Sequence, residues 1–207
     1  MSGSPAVIEA EDVEVRYHGG PEPAVRGVTM RLEPGEGLLV SGPPGAGKTS
    51  LLRGLLGLVE HRGRARVAGA RPAAPGMRGG VGYGPQGEGF ATGLRVREAV
   101  AAIAALRTAP ARDRVDAALE RAGLQFVAGW RTAQLDAEGH RRLSLALAIV
   151  GDPDLVVMDD PWVLSDTLRE IAAARARGAA VLVAAQRPGG LGPALGRRIA
   201  LIDGRPR

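Results

Sequence analysis

Hydrophobic and polar residues follow different periods along the chain. Near its start, polar and apolar side chains alternate over residues 7–15 and 28–32, which predicts two antiparallel β-strands. Four later runs are short and almost wholly apolar, as expected of strands buried on both faces of a parallel sheet. These runs are residues 37–41, 155–158, 180–184 and 199–202.

Helical periodicity fills the segments around these apolar runs. The helix predicted after the first run has one apolar face, made of Leu51, Leu52, Leu55, Leu56 and Val59. Further helices are predicted at residues 95–106, 112–122, 138–150 and 164–177, and short strands at 65–68 and 80–83. Strands that alternate with helices indicate an α/β fold with a mostly parallel sheet. We expect a single domain over residues 1–207.

Composition limits the classes of function. The chain is 45% apolar and 24% charged and has no cysteine, which excludes disulfides and thiolate metal sites. Its longest apolar stretches, around residues 143–150 and 179–185, are shorter than the ~20 residues that span a bilayer. The net charge of +5 comes from arginines scattered among acids, and Arg62, Arg64 and Arg66 alternate as on the exposed face of a strand. We therefore do not expect a nucleic-acid partner.

One lysine differs from all the other cations. The chain has 27 lysines and arginines, and every one except Lys48 is an arginine. A compact ammonium on a slim stem can contact a phosphate where a planar guanidinium does not fit. Lys48 is therefore a candidate phosphate ligand.

The sequence around Lys48 matches G-x-x-x-x-G-K-[ST], the phosphate-binding loop of P-loop NTPases. Its glycines let successive backbone N–H groups point at phosphate oxygens, and the following helix adds its positive N-terminus. Lys48 is expected to contact the β- and γ-phosphates, and the Thr49 hydroxyl to hold Mg²⁺. The candidate nucleotide-binding residues here are Gly42, Pro43, Pro44, Gly45, Ala46, Gly47, Lys48, Thr49 and Ser50.

The apolar run at residues 155–158 ends in two carboxylates, Asp159 and Asp160. An aspartate at the carboxyl end of a buried strand beside the phosphate loop is well placed to bind Mg²⁺ or its water. Strand-end aspartates also form turns and cap helices. The loop at residues 42–49 favours the metal role for Asp159.

Together these motifs resemble the ATP-binding cassette of ABC transporters over nearly the whole chain. Tyr17 lies 25 residues before the loop, where the family has an aromatic side chain that stacks on adenine. Residues 82–86 resemble the Q-loop, whose glutamine, here Gln86, contacts Mg²⁺ and the attacking water and faces the membrane partner. Asp166 aligns with the aspartate of the D-loop. Each residue also has a purely structural interpretation. Tyr17 could cover the edge of a sheet, Gln86 could be an ordinary loop residue, and Asp166 could cap the nearby helix.

The resemblance implies a P-loop NTPase fold with an N-terminal antiparallel β subdomain and a small helical subdomain, roughly residues 90–140. It implies ATP and Mg²⁺ as cofactors, and two partners: a transmembrane permease subunit and a second ATP-binding cassette, like or unlike this chain. It further implies a cytoplasmic protein, peripheral on the inner face of the cell membrane.

Three positions depart from the family pattern. Asp160 replaces the glutamate that activates water, and its shorter arm threatens turnover more than binding. Gln186 stands at the switch histidine position and carries no charge. In an alignment without gaps, residues 135–139 replace the signature Leu-Ser-Gly-Gly-Gln, with Asp136 and Glu138 bringing negative charge to a phosphate contact. A shifted alignment, which pairs residues 138–140 with the last three signature positions, needs a deletion in the arginine run that follows. Like charges 4 Å apart repel by about 4 kcal/mol at an effective dielectric near 20, although Asp136 is also a good helix N-cap.

These observations support three hypotheses. The first is an ABC transporter ATPase subunit in which Asp160, Gln86 and Gln186 serve hydrolysis, slowly or with the help of a better-equipped partner cassette. The second is a regulatory or structural subunit that binds ATP without useful turnover. The three departures favour this second hypothesis, while the intact phosphate loop, Asp159 and Gln86 keep the first ahead. A small-molecule kinase is the third, and it does not predict the run resembling a Q-loop.

Overall fold

The protein is described by a computed structural model that covers residues 5–20, 22–74, 77, 80–87, 93–107, 112–161 and 165–207. The strands are β1 (Ile8–Val15), β2 (Val25–Leu32), β3 (Gly37–Ser41), β4 (His61–Val67), β5 (Val81–Gly84), β6 (Leu155–Asp159), β7 (Ala180–Ala185), β8 (Gly196–Ile202) and β9 (Arg205–Pro206). The α-helices are α1 (Lys48–Leu55), α2 (Val96–Arg107), α3 (Arg112–Arg121), α4 (Ala137–Ile149), α5 (Ser165–Ala176) and α6 (Leu191–Leu195). Short 3-10 turns at Gln125–Val127 and Thr132–Gln134 connect α3 to α4.

The antiparallel strands near the N-terminus form a three-stranded sheet in the order β2-β1-β4. Its charged residues are paired across the strands, with Glu9 opposite Arg66 and Glu11 opposite Arg64. Cross-strand pairs of opposite charge stabilise such a sheet. These arginines are therefore balanced by acids of β1, as the scattered charge pattern indicated.

The six-stranded sheet has the order β5-β6-β7-β3-β8-β9, in which all neighbours are parallel except the last pair. Strand β3 lies between β7 and β8, and β6 lies between β5 and β7. Because the strands are parallel, their carboxyl ends share one edge. The loop after β3, Asp160 after β6 and Gln186 after β7 meet there. The predicted fold class is confirmed.

Two apolar cores cover the two faces of this sheet. Leu39, Val156 and Val181 face the core formed with helices α2 to α6, whereas Leu38, Val157 and Leu182 face the core shared with α1 and the antiparallel sheet. Every residue of β3, β6 and β7 is buried, since both faces of these strands are covered. This burial explains the unbroken apolar runs in the sequence.

Most predicted elements are present with ends displaced by one or two residues. Strand β4 is longer than the predicted run at 65–68, since its exposed arginines hide the alternation. Helix α6 and strand β9 were not predicted. Helix α6 has only five residues, among them a glycine and a proline, and β9 has only two, so neither is long enough to show a periodic pattern. The predicted start of α5 at residue 164 and parts of the predicted helical subdomain (90–92 and 108–111) lie outside the described residues. Among the described residues, no helix is long and apolar enough to cross a membrane.

Candidate functional site

The loop between β3 and α1 passes so close to neighbouring backbone that two of its glycines cannot be replaced. A Cβ on Gly42 would lie 2.3 Å from the Leu201 carbonyl oxygen, and one on Gly47 would lie 2.2 Å from that of Ala24. Gly47 also has a φ of 92°, and Gly45 has a φ of 78° but open space around it. The loop is thus held tightly at both ends, and its middle faces solvent.

Helix α1 begins at Lys48 without an anionic cap. Within the described residues no side chain caps it, and its first turn contains no acid. The buried Lys48 ammonium donates to the carbonyl oxygens of Gly42 and Pro43, both at 2.9 Å, so it lies over the loop. Uncapped N–H groups, a positive helix end and an ammonium together form a site for a phosphate chain.

Asp159 lies at the end of β6, beside the start of α1. The Thr49 hydroxyl donates to Asp159 Oδ1 at 3.1 Å, while the buried Oδ2 has no hydrogen-bond partner among the described residues. Burial raises the pKa of the Asp159 carboxyl above its usual value, the nearby charge of Asp160 adds to the rise, and the Thr49 hydrogen bond opposes it. An unpartnered buried carboxylate oxygen beside a hydroxyl fits Mg²⁺, a hard cation with oxygen ligands.

Asp160 connects the two other candidate catalytic residues. Gln86 Nε2 donates to Asp160 Oδ2 at 3.0 Å, and the Gln186 backbone N–H donates to Oδ1 at 3.1 Å. The Asp160 N–H donates to Ala184 O at 2.7 Å. The three residues therefore form one hydrogen-bonded group at the sheet edge, to which Gln186 contributes its backbone while its side chain is exposed.

Tyr17 lies beside α1, where it contacts Ser50. It is 40% exposed, and its hydroxyl donates to Ser50 Oγ at 3.3 Å. Sequence reasoning missed Arg53 next to it. Burial lowers the pKa of the Arg53 guanidinium, but hydrogen bonds to the Tyr17 and Tyr83 phenols outweigh this, so the pKa is raised. The only sequence signal for Arg53 was its position one turn beyond Thr49.

The segment at residues 135–139 forms the start of α4. Asp136 is the N-cap, and its Oδ1 accepts from the Gly139 N–H at 2.7 Å. Glu138 accepts from Arg142 one turn later at 3.0 Å, and Arg142 also donates to Asp166 at 3.1 Å. The helix end is therefore occupied by an anion of the chain itself, and the charge of Glu138 is compensated. The Glu138–Arg142 ion pair reduces the repulsion expected from Glu138, whereas the carboxylate of Asp136, the predicted N-cap, remains at the start of the helix.

Comparisons with known proteins agree with this geometry. A family model described as "ABC transporter" matches residues 25–163. The Nod factor export ATP-binding protein I of Paraburkholderia xenovorans is 36% identical over 171 residues, covering 75% of this chain and 53% of that protein. The zinc import ATP-binding protein ZnuC of Paracoccus denitrificans is 36% identical over 157 residues, covering 75% of this chain and 57% of that protein. The chain thus spans about half the length of these curated relatives.

A solved structure shows the same fold. The dimeric structure of a post-hydrolysis state of the ATP-binding cassette MJ0796, bound to ADP and Pi, has a TM-score of 0.87 and 21% sequence identity to this chain. The similarity covers 97% of this chain and 96% of that one. At this identity the match establishes the architecture, and residue roles must be argued from the geometry above.

Proposed function

Since the chain belongs to the ABC transporter family, we propose that it is a transporter's ATP-binding subunit, which binds Mg·ATP and couples closure of a cassette dimer to a separate membrane permease. One observation carries this proposal: the uncapped start of α1, with the buried Lys48 above it and Asp159 beside it. This arrangement supplies positive charge, backbone donors and a cation ligand around one open loop.

The chain's own groups divide the work of binding. The loop N–H groups and Lys48 hold the phosphate oxygens, and Lys48 leaves the carbonyls of Gly42 and Pro43 to do so. Thr49 and Asp159 hold Mg²⁺, which neutralises the phosphate charge and orients the phosphates. Tyr17, half-exposed beside Ser50, offers a face on which the adenine stacks. The cofactors proposed are therefore ATP and Mg²⁺.

For hydrolysis, Asp160 is the proposed base. Its Oδ2 accepts a hydrogen bond from Gln86 and its Oδ1 accepts one from the Gln186 N–H. Each carboxylate oxygen has a second lone pair that can accept a proton from water. The Gln86 donor must be Nε2, because a carboxylate only accepts, and this leaves Gln86 Oε1 available for Mg²⁺. Gln186 is proposed to contact the γ-phosphate through its exposed side chain.

The second cassette is proposed to be unlike this chain. In the family, each nucleotide lies between the phosphate loop of one cassette and the signature of the other. Here Asp136 already occupies the N-terminus of α4 and would face the partner's γ-phosphate. An unlike partner with an intact signature sequence would place that signature against the nucleotide held by Lys48. Fewer phosphate contacts would then depend on residues 135–139 of this chain.

Exposed aromatic side chains support a protein partner on the connection from α3 to α4. Phe126 is 89% exposed and Trp130 is 50% exposed, in a chain with few aromatic residues. Large apolar groups exposed together mark interaction surfaces. We propose that this surface contacts the permease and that the protein acts at the cytoplasmic face of the membrane.

A second candidate function has its own support. The short Asp160 and the self-capped α4 both favour nucleotide binding over turnover. In this alternative the chain is a regulatory or structural subunit that closes on ATP, and its partner cassette hydrolyses.

Steady-state phosphate release separates the two candidates. The purified protein is assayed alone and with its membrane partner in proteoliposomes, with Lys48→Ala as the inactive baseline. Release above that baseline in either condition supports hydrolysis. Nucleotide binding with no release in both conditions supports the non-hydrolysing subunit. Binding that is unchanged in both Lys48→Ala and Thr49→Ala would overturn the site.

A further inference from the structure

Helix α4 packs directly on the backbone of β5. A Cβ on Gly82 would lie 1.8 Å from Ala148 O, and one on Gly84 would lie 2.7 Å from Ser144 O and 2.9 Å from Ser144 Oγ. Ser144 and Ala148 are one turn apart, so they share a face of α4. With no side chain between them, the helix and the strand have little room to move independently.

Ser144 makes a specific bond across this contact. Its hydroxyl donates to Pro85 O at 2.8 Å, across 59 residues of sequence. A serine inside a helix commonly bonds to a carbonyl of its own preceding turn. Here it instead holds the peptide group that joins Pro85 to Gln86, immediately after the end of β5.

The held peptide leads directly to Asp160. Gln86 Nε2 donates to Asp160 Oδ2 at 3.0 Å, and the opposite oxygen accepts from the Gln186 N–H at 3.1 Å. Asp160 adopts a φ of 50°, a region that few side chains other than Asp and Asn tolerate. Ser144 also lines the same cleft, of about 280 Å³, as Asp159 and Asp160. A short hydrogen-bonded path therefore runs from α4 to the proposed base.

We propose that Ser144 is a positioning residue for hydrolysis, tying α4 to the Pro85–Gln86 peptide so that Gln86 holds Asp160 in place. The inference rests on the proposed function, since it assigns the turnover step to Asp160. Because α4 and β5 have little room to move independently, a displacement of α4 carries the Pro85 carbonyl with it and so changes the Gln86–Asp160 contact. The helix that begins with the signature segment thereby acts on the chain's own hydrolytic site as well as on the partner's.

Removing the hydroxyl tests the path through turnover. Ser144→Ala is expected to lower kcat for ATP about fivefold, the effect of one hydrogen bond, and to leave KM within twofold. Ser144→Thr keeps the hydroxyl and is expected to restore most of the rate. The matched control is Thr29→Ala, which removes an exposed hydroxyl that accepts from Asp12 N in the distant antiparallel sheet. Equal effects of Ser144→Ala and Thr29→Ala on kcat would overturn the proposal.

A double-mutant cycle tests whether Ser144 acts through Gln86. In a Gln86→Ala background, the added Ser144→Ala change is expected to alter the remaining rate by less than about 1.5-fold. Losses that multiply independently would show that Ser144 acts by another route and would overturn the proposal.

Amide hydrogen exchange of the nucleotide-free protein gives a readout that does not need turnover. Ser144→Ala is expected to speed exchange several-fold in residues 80–87 and at the Gln186 amide, whereas Thr29→Ala leaves both unchanged. If wild-type protein releases no phosphate but Ser144→Ala still speeds exchange at these residues, the positional link stands and the hydrolytic function fails. Unchanged exchange in Ser144→Ala would overturn the link, whatever the turnover.

Discussion

Helices α1 and α4 both have a glycine at or near their start, Gly47 and Gly139, yet their first turns are built in opposite ways. Helix α1 has Gly47 as N-cap, no capping side chain in the described residues and Lys48 in its first turn. Helix α4 has Asp136 as N-cap, its carboxylate on the Gly139 N–H, and Glu138 in its first turn. The N-terminus of α1 therefore lacks an anionic cap, while that of α4 already has one.

The surroundings of the two helix starts differ in the same sense. Close backbone contacts at Gly42 and Gly47 hold the two ends of the α1 loop in place. Around α4, Arg142 bridges Glu138 and Asp166, so the chain neutralises its own charges there. The groups at the start of α1 fit an outside phosphate, whereas those at the start of α4 are satisfied by the chain itself. This difference supports ATP binding more directly than it supports ATP hydrolysis.

The largest expected effect is at α1. Lys48→Ala should weaken Mg·ATP binding about 100-fold, because it removes a charge-assisted contact to phosphate. Isothermal titration calorimetry measures the change, with Arg64→Ala as control, since Arg64 is exposed and pairs with Glu11 in the distant antiparallel sheet. A loss of affinity below threefold would show that the start of α1 is no better suited to a phosphate than the start of α4.

Turnover is expected to respond to the length of the base. Asp160→Glu should raise kcat about tenfold by extending the carboxylate toward water. It should also cost about 1 kcal/mol of stability, because glutamate tolerates a φ of 50° less well than aspartate. Phosphate release and thermal unfolding are measured together. A folded variant with an unchanged rate would show that arm length does not limit hydrolysis.

The buried Asp159 carboxylate is expected to lower the free energy of unfolding of the nucleotide-free protein and to strengthen Mg·ATP binding. Its pKa is raised by burial, so the folded protein binds more protons than the unfolded chain, and the free energy of unfolding falls as pH rises above the usual value of 3.8. Asp159→Asn should therefore raise the nucleotide-free Tm by about 2–4 °C at neutral pH and weaken Mg·ATP binding.

Calorimetric unfolding of wild type and Asp159→Asn across the acidic range checks the sign. The stability advantage of the variant should shrink as pH falls through the pKa of Asp159, because the wild-type carboxyl then becomes neutral too. An advantage that grows at low pH would contradict the assignment of a raised pKa.

The smallest expected effect is at α4. Asp136→Ala should lower the free energy of unfolding by about 1 kcal/mol through loss of the N-cap, whereas Asp136→Asn should stay within about 0.5 kcal/mol. Asp136→Asn also removes the negative charge, so ATP-dependent association with a second cassette should strengthen. Chemical denaturation and light scattering measure these changes. Equal stability of all three proteins would show that Asp136 does not cap α4.

Local features of the site could be predicted from the sequence, whereas its long-range contacts could not. The loop around Lys48 and the strand before Asp159 are contiguous patterns whose chemistry is set by neighbours in the chain. The Glu138–Arg142 pair was also within reach, because residues four apart on a helix face each other. The Ser144–Pro85 bond spans 59 residues and leaves no periodic signal.

The sequence by itself determined the phosphate loop, the buried strands and the substitutions at Asp160, Gln186 and residues 135–139, because each depends on residue type and spacing along the chain. Only the tertiary structure decided which of these residues touch. It joined Thr49 to Asp159 and Gln86 to Asp160, and left Asp159 Oδ2 without a partner among the described residues. The physical reason is that parallel strands bring distant segments to one sheet edge, where packing fixes distances that no local pattern encodes.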